Sequence, residues 1–117
     1  MKTVSIIVNT LNRVDYLRTI LESFCYLAYE DFEVVVVNGP STDDTNDLLM
    51  KWNEKIKIGK CEEANLSMSR NIGIALAASE FVAFIDDDAI PEPEWLNQAM
   101  DAFEHDGIGA VGGPVYD

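Results

Sequence analysis

Five apolar residues, Phe81-Val82-Ala83-Phe84-Ile85, run without a break into three carboxylates, Asp86-Asp87-Asp88. A continuous apolar run this short reads as a strand buried on both faces, the habit of a parallel sheet flanked by helices. In open α/β sheets, ligands bind in the crevice beyond the carboxyl ends of the strands. The acids therefore fall where such a fold places its site. Side chains alternate along a strand, so Asp86 and Asp88 are expected to share one face while Asp87 points elsewhere.

Two hard oxygen donors at that spacing suit Mg²⁺ or Mn²⁺. The same acids would also serve to cap a following helix or to face water. Three like charges in a row repel one another, a cost that a cation relieves.

The pattern of a buried strand followed by a polar turn and a helix recurs along the chain. Val4 to Asn9 and Phe32 to Val37 are rich in β-branched residues and read as buried strands. Ile56 to Lys60 reads as a short strand near an edge, and Ile108 to Gly113 as a last strand weakened by glycines. Leu17, Ile20, Leu21 and Phe24 fall at helical spacing, which predicts a helix from about Val14 to Tyr26. Asn12 with Asp15 resembles a capping box at its start. Ser41 or Thr42 is expected to cap a second helix carrying Leu48, Leu49 and Trp52. A third begins at Asn65 or Ser67, with Met68, Ile72, Ala75 and Leu76 facing inward. A fourth follows Pro91 and buries Trp95, Leu96, Met100 and Phe103. This alternation predicts an α/β domain with a mainly parallel sheet and right-handed crossovers.

Length allows one domain with a real core and hardly more, so residues 1–117 are expected to form a single unit. The formal charge of −13, from 21 acids and 8 bases, argues against a nucleic-acid partner. No Lys or Arg follows Arg70, so an anionic ligand in that half needs help from a cation, from helix N-termini, or from Arg13 and Arg70. No apolar run approaches the roughly 20 residues of a membrane span, and the N-terminus lacks the pattern of a signal peptide. Cys25 and Cys61 show no metal spacing and read as reduced, semi-buried fillers of a cytoplasmic protein. The one histidine, His105, lies in a polar helix end. No P-loop G-x-x-x-x-G-K-[ST] occurs, which disfavours a nucleotide binder of that kind.

Four stretches, in order, resemble the family 2 glycosyltransferases of the GT-A fold. VSIIVNTLNR, Val4 to Arg13, is similar to that family's opening strand and P-T-Y-N-R turn. VVVVNGPSTDDT, Val34 to Thr45, resembles its V-V-D-D-G-S-T-D-x-T segment. NLSMSRNIGIALAASEFVAFIDDD, Asn65 to Asp88, resembles the A-R-N-x-G stretch that runs into the D-x-D strand. PEPEWL, Pro91 to Leu96, resembles what usually follows.

The resemblance implies a Rossmann-like three-layer GT-A sandwich, of which this chain is the N-terminal, nucleotide-sugar-binding part. It implies a nucleoside-diphosphate-sugar donor, a UDP-sugar by preference, an acceptor saccharide or other hydroxyl compound, Mn²⁺ or Mg²⁺ held by the D-x-D acids, and a place in cell-envelope polysaccharide synthesis. Carried over, Asp88 is the first choice for metal ligand. Asp86 would reach the donor or the metal, with Asp87 a weaker donor-site residue. Thr10 lines the nucleotide pocket, Arg70 faces the donor or forms a surface ion pair, and Arg13 is a helix-start residue. Asn38-Gly39 stands where the family has Asp-Asp, Pro40 where it has Gly, Asn9 where it has Pro, and Leu11 where it has an aromatic. Asn38 retains a donor and an acceptor for a base edge. The general base of the family comes after this stretch, and Asp106 and Asp117 stand for it here only by default. The alternative is a binding module that holds the nucleotide-sugar without transferring it. A sheet cut short in this way would expose an edge and favour dimerisation or aggregation.

Overall fold

A computed structural model of the protein describes residues 2–104 and 107–112. Gly113, His105 and both default candidates for the general base, Asp106 and Asp117, lie outside the described residues. Four strands, β1 (Val4–Thr10), β2 (Phe32–Asn38), β3 (Lys57–Lys60) and β4 (Phe81–Asp86), form one sheet in the order β3-β2-β1-β4, all parallel. The helices are α1 (Val14–Ser23), continued by a 3₁₀ turn at Phe24–Tyr26, α2 (Thr45–Trp52), α3 (Leu66–Leu76) and α4 (Trp95–Phe103).

The order follows from handedness. From β1 to β2 to β3 the chain steps one way across the sheet, and α1 and α2 lie on one face. It then returns past both inner strands to β4, and a crossover of the same hand must put α3 on the opposite face. The core divides accordingly. Ile6, Val8, Val34 and Val36 pack with Leu17 and Ile20 of α1, Leu48 and Leu49 of α2, and Leu96 of α4. Ile7, Val35 and Val37 pack with Cys61, Ile72 and Ala77 beneath α3. These are three layers, as the strand and helix alternation predicts.

β4 departs from expectation. Among the described residues it is an outer strand of the sheet, and α3 passes over β1, β2 and β3 rather than over it. Phe81, Ala83 and Ile85 pack against the larger core, whereas Val82 and Phe84 on the other face are 39% and 43% exposed. An all-apolar run therefore overstated its burial. The last strand expected at Ile108 to Gly113 is also absent over 108–112, where Ile108 and Val111 are exposed.

The face of α3 is a second correction. Met68, Ala75 and Leu76 are exposed, and the buried positions are Ser69 and Gly73, with Ile72 half-buried. The helix crosses the sheet so closely that small residues are required at the contact. A Cβ on Gly73 would sit 2.5 Å from Cγ2 of Ile7, which is fully buried and has nowhere to go. In an exposed helix Gly→Ala stabilises by about 1 kcal/mol. Here Gly73→Ala is expected to destabilise by about 1–3 kcal/mol, the cost of an overpacked core, read as a lowered midpoint of thermal unfolding. An unchanged midpoint would mean that α3 stands further off the sheet.

At the amino ends of the strands, Glu33 ties three elements together. It accepts hydrogen bonds from the Ser5 hydroxyl and from the Ala78 N–H at 2.7 Å, and pairs with Lys57 at 2.9 Å. Burial alone would push its pKa up, but the Ser5 hydroxyl, the Ala78 N–H and Lys57 together hold it below the usual carboxylate range. A depressed folded pKa contributes stability that is present above the unfolded value of about 4.3 and is lost as pH falls through the lower folded value. Acid unfolding should therefore set in below about pH 4, and Glu33→Gln should flatten that limb. An acid limb identical to wild type would show that Glu33 does not carry it.

Candidate functional site

β1 and β4 are neighbours, and the strand order reverses between them: β2 and β3 are added on one flank of β1 and β4 on the other, so the sheet's switch point lies there. That crevice is where open α/β sheets bind ligands. The register puts Asn9 opposite Asp86 and Thr10 opposite Asn38, so the carboxyl ends of β4, β1 and β2 form one rim. A cleft of about 430 Å³ at the opposite ends of the strands, lined by Lys2, Phe32, Glu33 and Phe81, is remote from this rim.

Of the three acids, only Asp86 belongs to the strand; Asp87 and Asp88 lie in a turn closed by the Ala89 N–H to the Asp86 carbonyl at 3.1 Å. Strict alternation therefore ends at Asp86. Asp86 is exposed, and among the described residues it has no ion-pair partner. Asp87 is buried and fully engaged. One oxygen accepts from the Thr10 hydroxyl at 2.9 Å and the other from the Arg13 guanidinium at 2.9 Å. The same Arg13 nitrogen lies 3.5 Å from Asp88, whose side chain is half exposed. Asp87, first of all, and Asp88 after it hold the Arg13 guanidinium more firmly protonated than usual.

Arg13 is indeed at a helix start, as the N-cap of α1, but no capping box forms there. Asn12 adopts a left-handed conformation (φ 53°), which Asn tolerates better than most residues. Its side chain accepts from the Thr42 and Asp43 N–H groups at 2.6 and 3.2 Å. Asp43 in turn accepts from the Val14 N–H at 3.2 Å, capping α1 from the neighbouring loop, and from the Thr45 N–H at 3.0 Å at the start of α2. The Thr45 hydroxyl and these N–H groups hold Asp43 below the usual carboxylate range. Neither Ser41 nor Thr42 caps α2. The two turns beside the crevice are laced to each other, and Asp43 also holds the start of α2 from its own loop.

Asn38 is buried with both amide atoms in use: its nitrogen donates to Asn46 at 2.7 Å and its oxygen accepts from Ser41 at 2.6 Å. Its side chain therefore builds the wall of the crevice before it meets anything in it. Asn9 donates to the buried Ser69 at 2.7 Å, tying β1 to α3. The Arg70 guanidinium stands 6.0 Å from the centre of the exposed Phe84 ring, on the bare face of β4 that also carries Asp86. Among the described residues it has no carboxylate partner, so the surface ion pair offered as its alternative role does not form there. Asn46, Ser69 and Asp43 are not singled out by the sequence patterns; Ser69 and Asp43 act through partners distant in the chain, and Asn46 through Asn38 eight residues before it. The cysteines are both free, Cys61 buried and Cys25 exposed rather than semi-buried.

Among the described residues no three His, Cys, Asp or Glu side chains converge into a ready-made metal cage. That fits a hard cation of the Mg²⁺ type, which keeps waters and is bound through one or two carboxylates plus substrate phosphates. Asp86 and the outer oxygens of Asp88 are carboxylate donors of that kind. Among the described residues no helix is long and apolar enough to cross a membrane.

The sequence model described as glycosyl transferase family 2 matches residues 5–117. EpsH of Bacillus subtilis (strain 168) is 35% identical over 100 residues, covering 83% of this chain and 29% of that protein. Staphylococcus aureus TarS 1–349 in complex with UDP-GlcNAc superposes with a TM-score of 0.77 at 29% identity, covering 96% of this chain and 37% of that one. The mannosyltransferase PcManGT of Pyrobaculum calidifontis, in complex with GDP-Man and Mn²⁺, gives a TM-score of 0.79 at 27% identity, over 91% of this chain and 33% of that one. The chain thus spans about a third of the length of these three proteins. The four-stranded parallel sheet with helices on both faces is the corresponding part of their GT-A fold.

Proposed function

This chain belongs to glycosyl transferase family 2, and from that premise we propose that it serves metal-dependent transfer of a sugar from a nucleoside-diphosphate donor, a UDP-sugar by preference, to a hydroxyl acceptor. The observation that carries the reading is the rim itself: Asp86 in register with Asn9 at the switch point, and Asp88 half exposed on the adjoining turn. UDP-GlcNAc in TarS and GDP-Man with Mn²⁺ in PcManGT support the donor class and the cation.

In this reading Asp88 would hold the cation, with Asp86 beside it or turned to the donor. A bound divalent cation would supply positive charge against which the diphosphate leaving group develops its own. The chain's residues do the rest by position. Thr10, fixed by Asp87, lines the crevice where the nucleotide would lie. Arg70 would meet the donor from the open face of β4. Asn38 would shape the pocket for the base while its amide holds Asn46 and Ser41. An acceptor hydroxyl would attack the anomeric carbon as a carboxylate takes its proton.

Calorimetric titration of UDP and of UDP-sugars, with and without Mn²⁺, tests this. UDP should bind when Mn²⁺ is present and lose most of its affinity when the metal is chelated. Equal affinity in both conditions would remove the cation from the reading. A transfer or donor-hydrolysis assay on the same samples then separates an enzyme from a module that only binds.

A further inference from the structure

The placement of Arg13 points beyond a helix-start role. Its guanidinium is held from three sides: 2.9 Å from Asp87, 3.5 Å from Asp88, and 5.0 Å from the centre of the Tyr16 ring. Asp87 cannot follow it outward, because its other oxygen is bonded to Thr10 and its side chain is buried. The positive charge is therefore anchored by Asp87 and Tyr16, and Asp88 is the partner that it can lose. We propose that Arg13 is the resident counter-ion of Asp88, a positioning residue that fixes this carboxylate and lowers its affinity for a bare divalent cation. The inference rests on the reading of Asp88 as the metal ligand.

The physical reason is direct. A cation at Asp88 would sit within a few ångströms of a fixed guanidinium, and like charges that close repel even at the dielectric of water. A divalent ion doubles the repulsion. A cation arriving with a diphosphate carries compensating negative charge and escapes most of the repulsion.

The test is Mn²⁺ binding to the protein without nucleotide, followed by the electron paramagnetic resonance of free Mn²⁺. Arg13→Gln keeps an N–H donor for Asp87 but removes the charge. It should bind Mn²⁺ on the order of tenfold more tightly than wild type. A merely structural Arg13 gives the opposite sign, since loosening the turn can only weaken the site. Unchanged or weaker affinity overturns the proposal. Where Arg13→Gln fails to fold, as judged by thermal unfolding, Arg13→Gln with Asp87→Asn is compared with Asp87→Asn alone, and the same tightening is expected. Equal affinity in that pair overturns it as well. Asp88→Ala in parallel separates the two levels. If it abolishes Mn²⁺ binding while Arg13→Gln fails to tighten it, the counter-ion role alone falls. If wild type binds no Mn²⁺, or Asp88→Ala leaves binding intact, the metal-ligand reading falls and takes the counter-ion with it.

Discussion

Val36→Asp is expected to abolish cooperative folding. Val36 is fully buried at the centre of β2, in register with Val8 on one side and Ile58 on the other. Its side chain lies in the larger core with Leu17, Leu48 and Leu49. No donor or cation is among these neighbours, so a carboxylate there is either ionised and unpaired or protonated and poorly bonded. Either state costs several kcal/mol, against a total stability of about 5–15 kcal/mol for a domain. Far-ultraviolet circular dichroism with urea titration should show no sigmoidal transition. A soluble variant with a normal transition would mean that β2 is not the spine of the sheet.

Asp88→Ala should act in the opposite way, sparing the fold and removing the function. Its side chain is 46% exposed and its contact is a 3.5 Å approach from Arg13, a surface pair of the kind that contributes little to stability. The unfolding midpoint should hardly move. Mn²⁺-dependent UDP binding should fall on the order of 100-fold or more, since loss of even an outer-shell partner costs about 10–100-fold at a metal site. Asp86→Asn, which retains a carbonyl oxygen, should cost less. Mn²⁺-dependent affinity unchanged in Asp88→Ala would take Asp88 out of the site.

Much of the fold could be read from local pattern because β1, β2 and the inward stripes of α1 and α2 are built from large apolar residues at regular spacing. What escaped follows a different rule. The inner face of α3 is centred on Ser69 and Gly73 because the helix approaches Ile7 too closely for larger side chains, with Ile72 and Leu76 lying over Gly59 of β3, whereas a rule based on large apolar residues points to Met68 as well. Burial of β4 was overstated because composition does not reveal which strand ends at an edge. At the rim, strand alternation ends at Asp86, and it could not reveal that Thr10 and Arg13 are what Asp87 meets, more than 70 residues away in the chain. The lacing of Asn12 with Thr42 and Asp43 is similarly long-range. Helix caps inferred within each segment failed there because the two loops supply each other's partners.

The position of β1 between β2 and β4 bears on the order in which the chain assembles during synthesis. β2 can join β1 as soon as it emerges, but β4 follows only after roughly 50 more residues, several seconds at about 5–20 residues per second. During that interval the first strand made has one flank bare, and the nascent sheet offers a template to any other extended peptide. A ribosome stalled before Phe81 should therefore display a half-assembled sheet that holdase chaperones capture, and release from them should coincide with the arrival of the acidic turn.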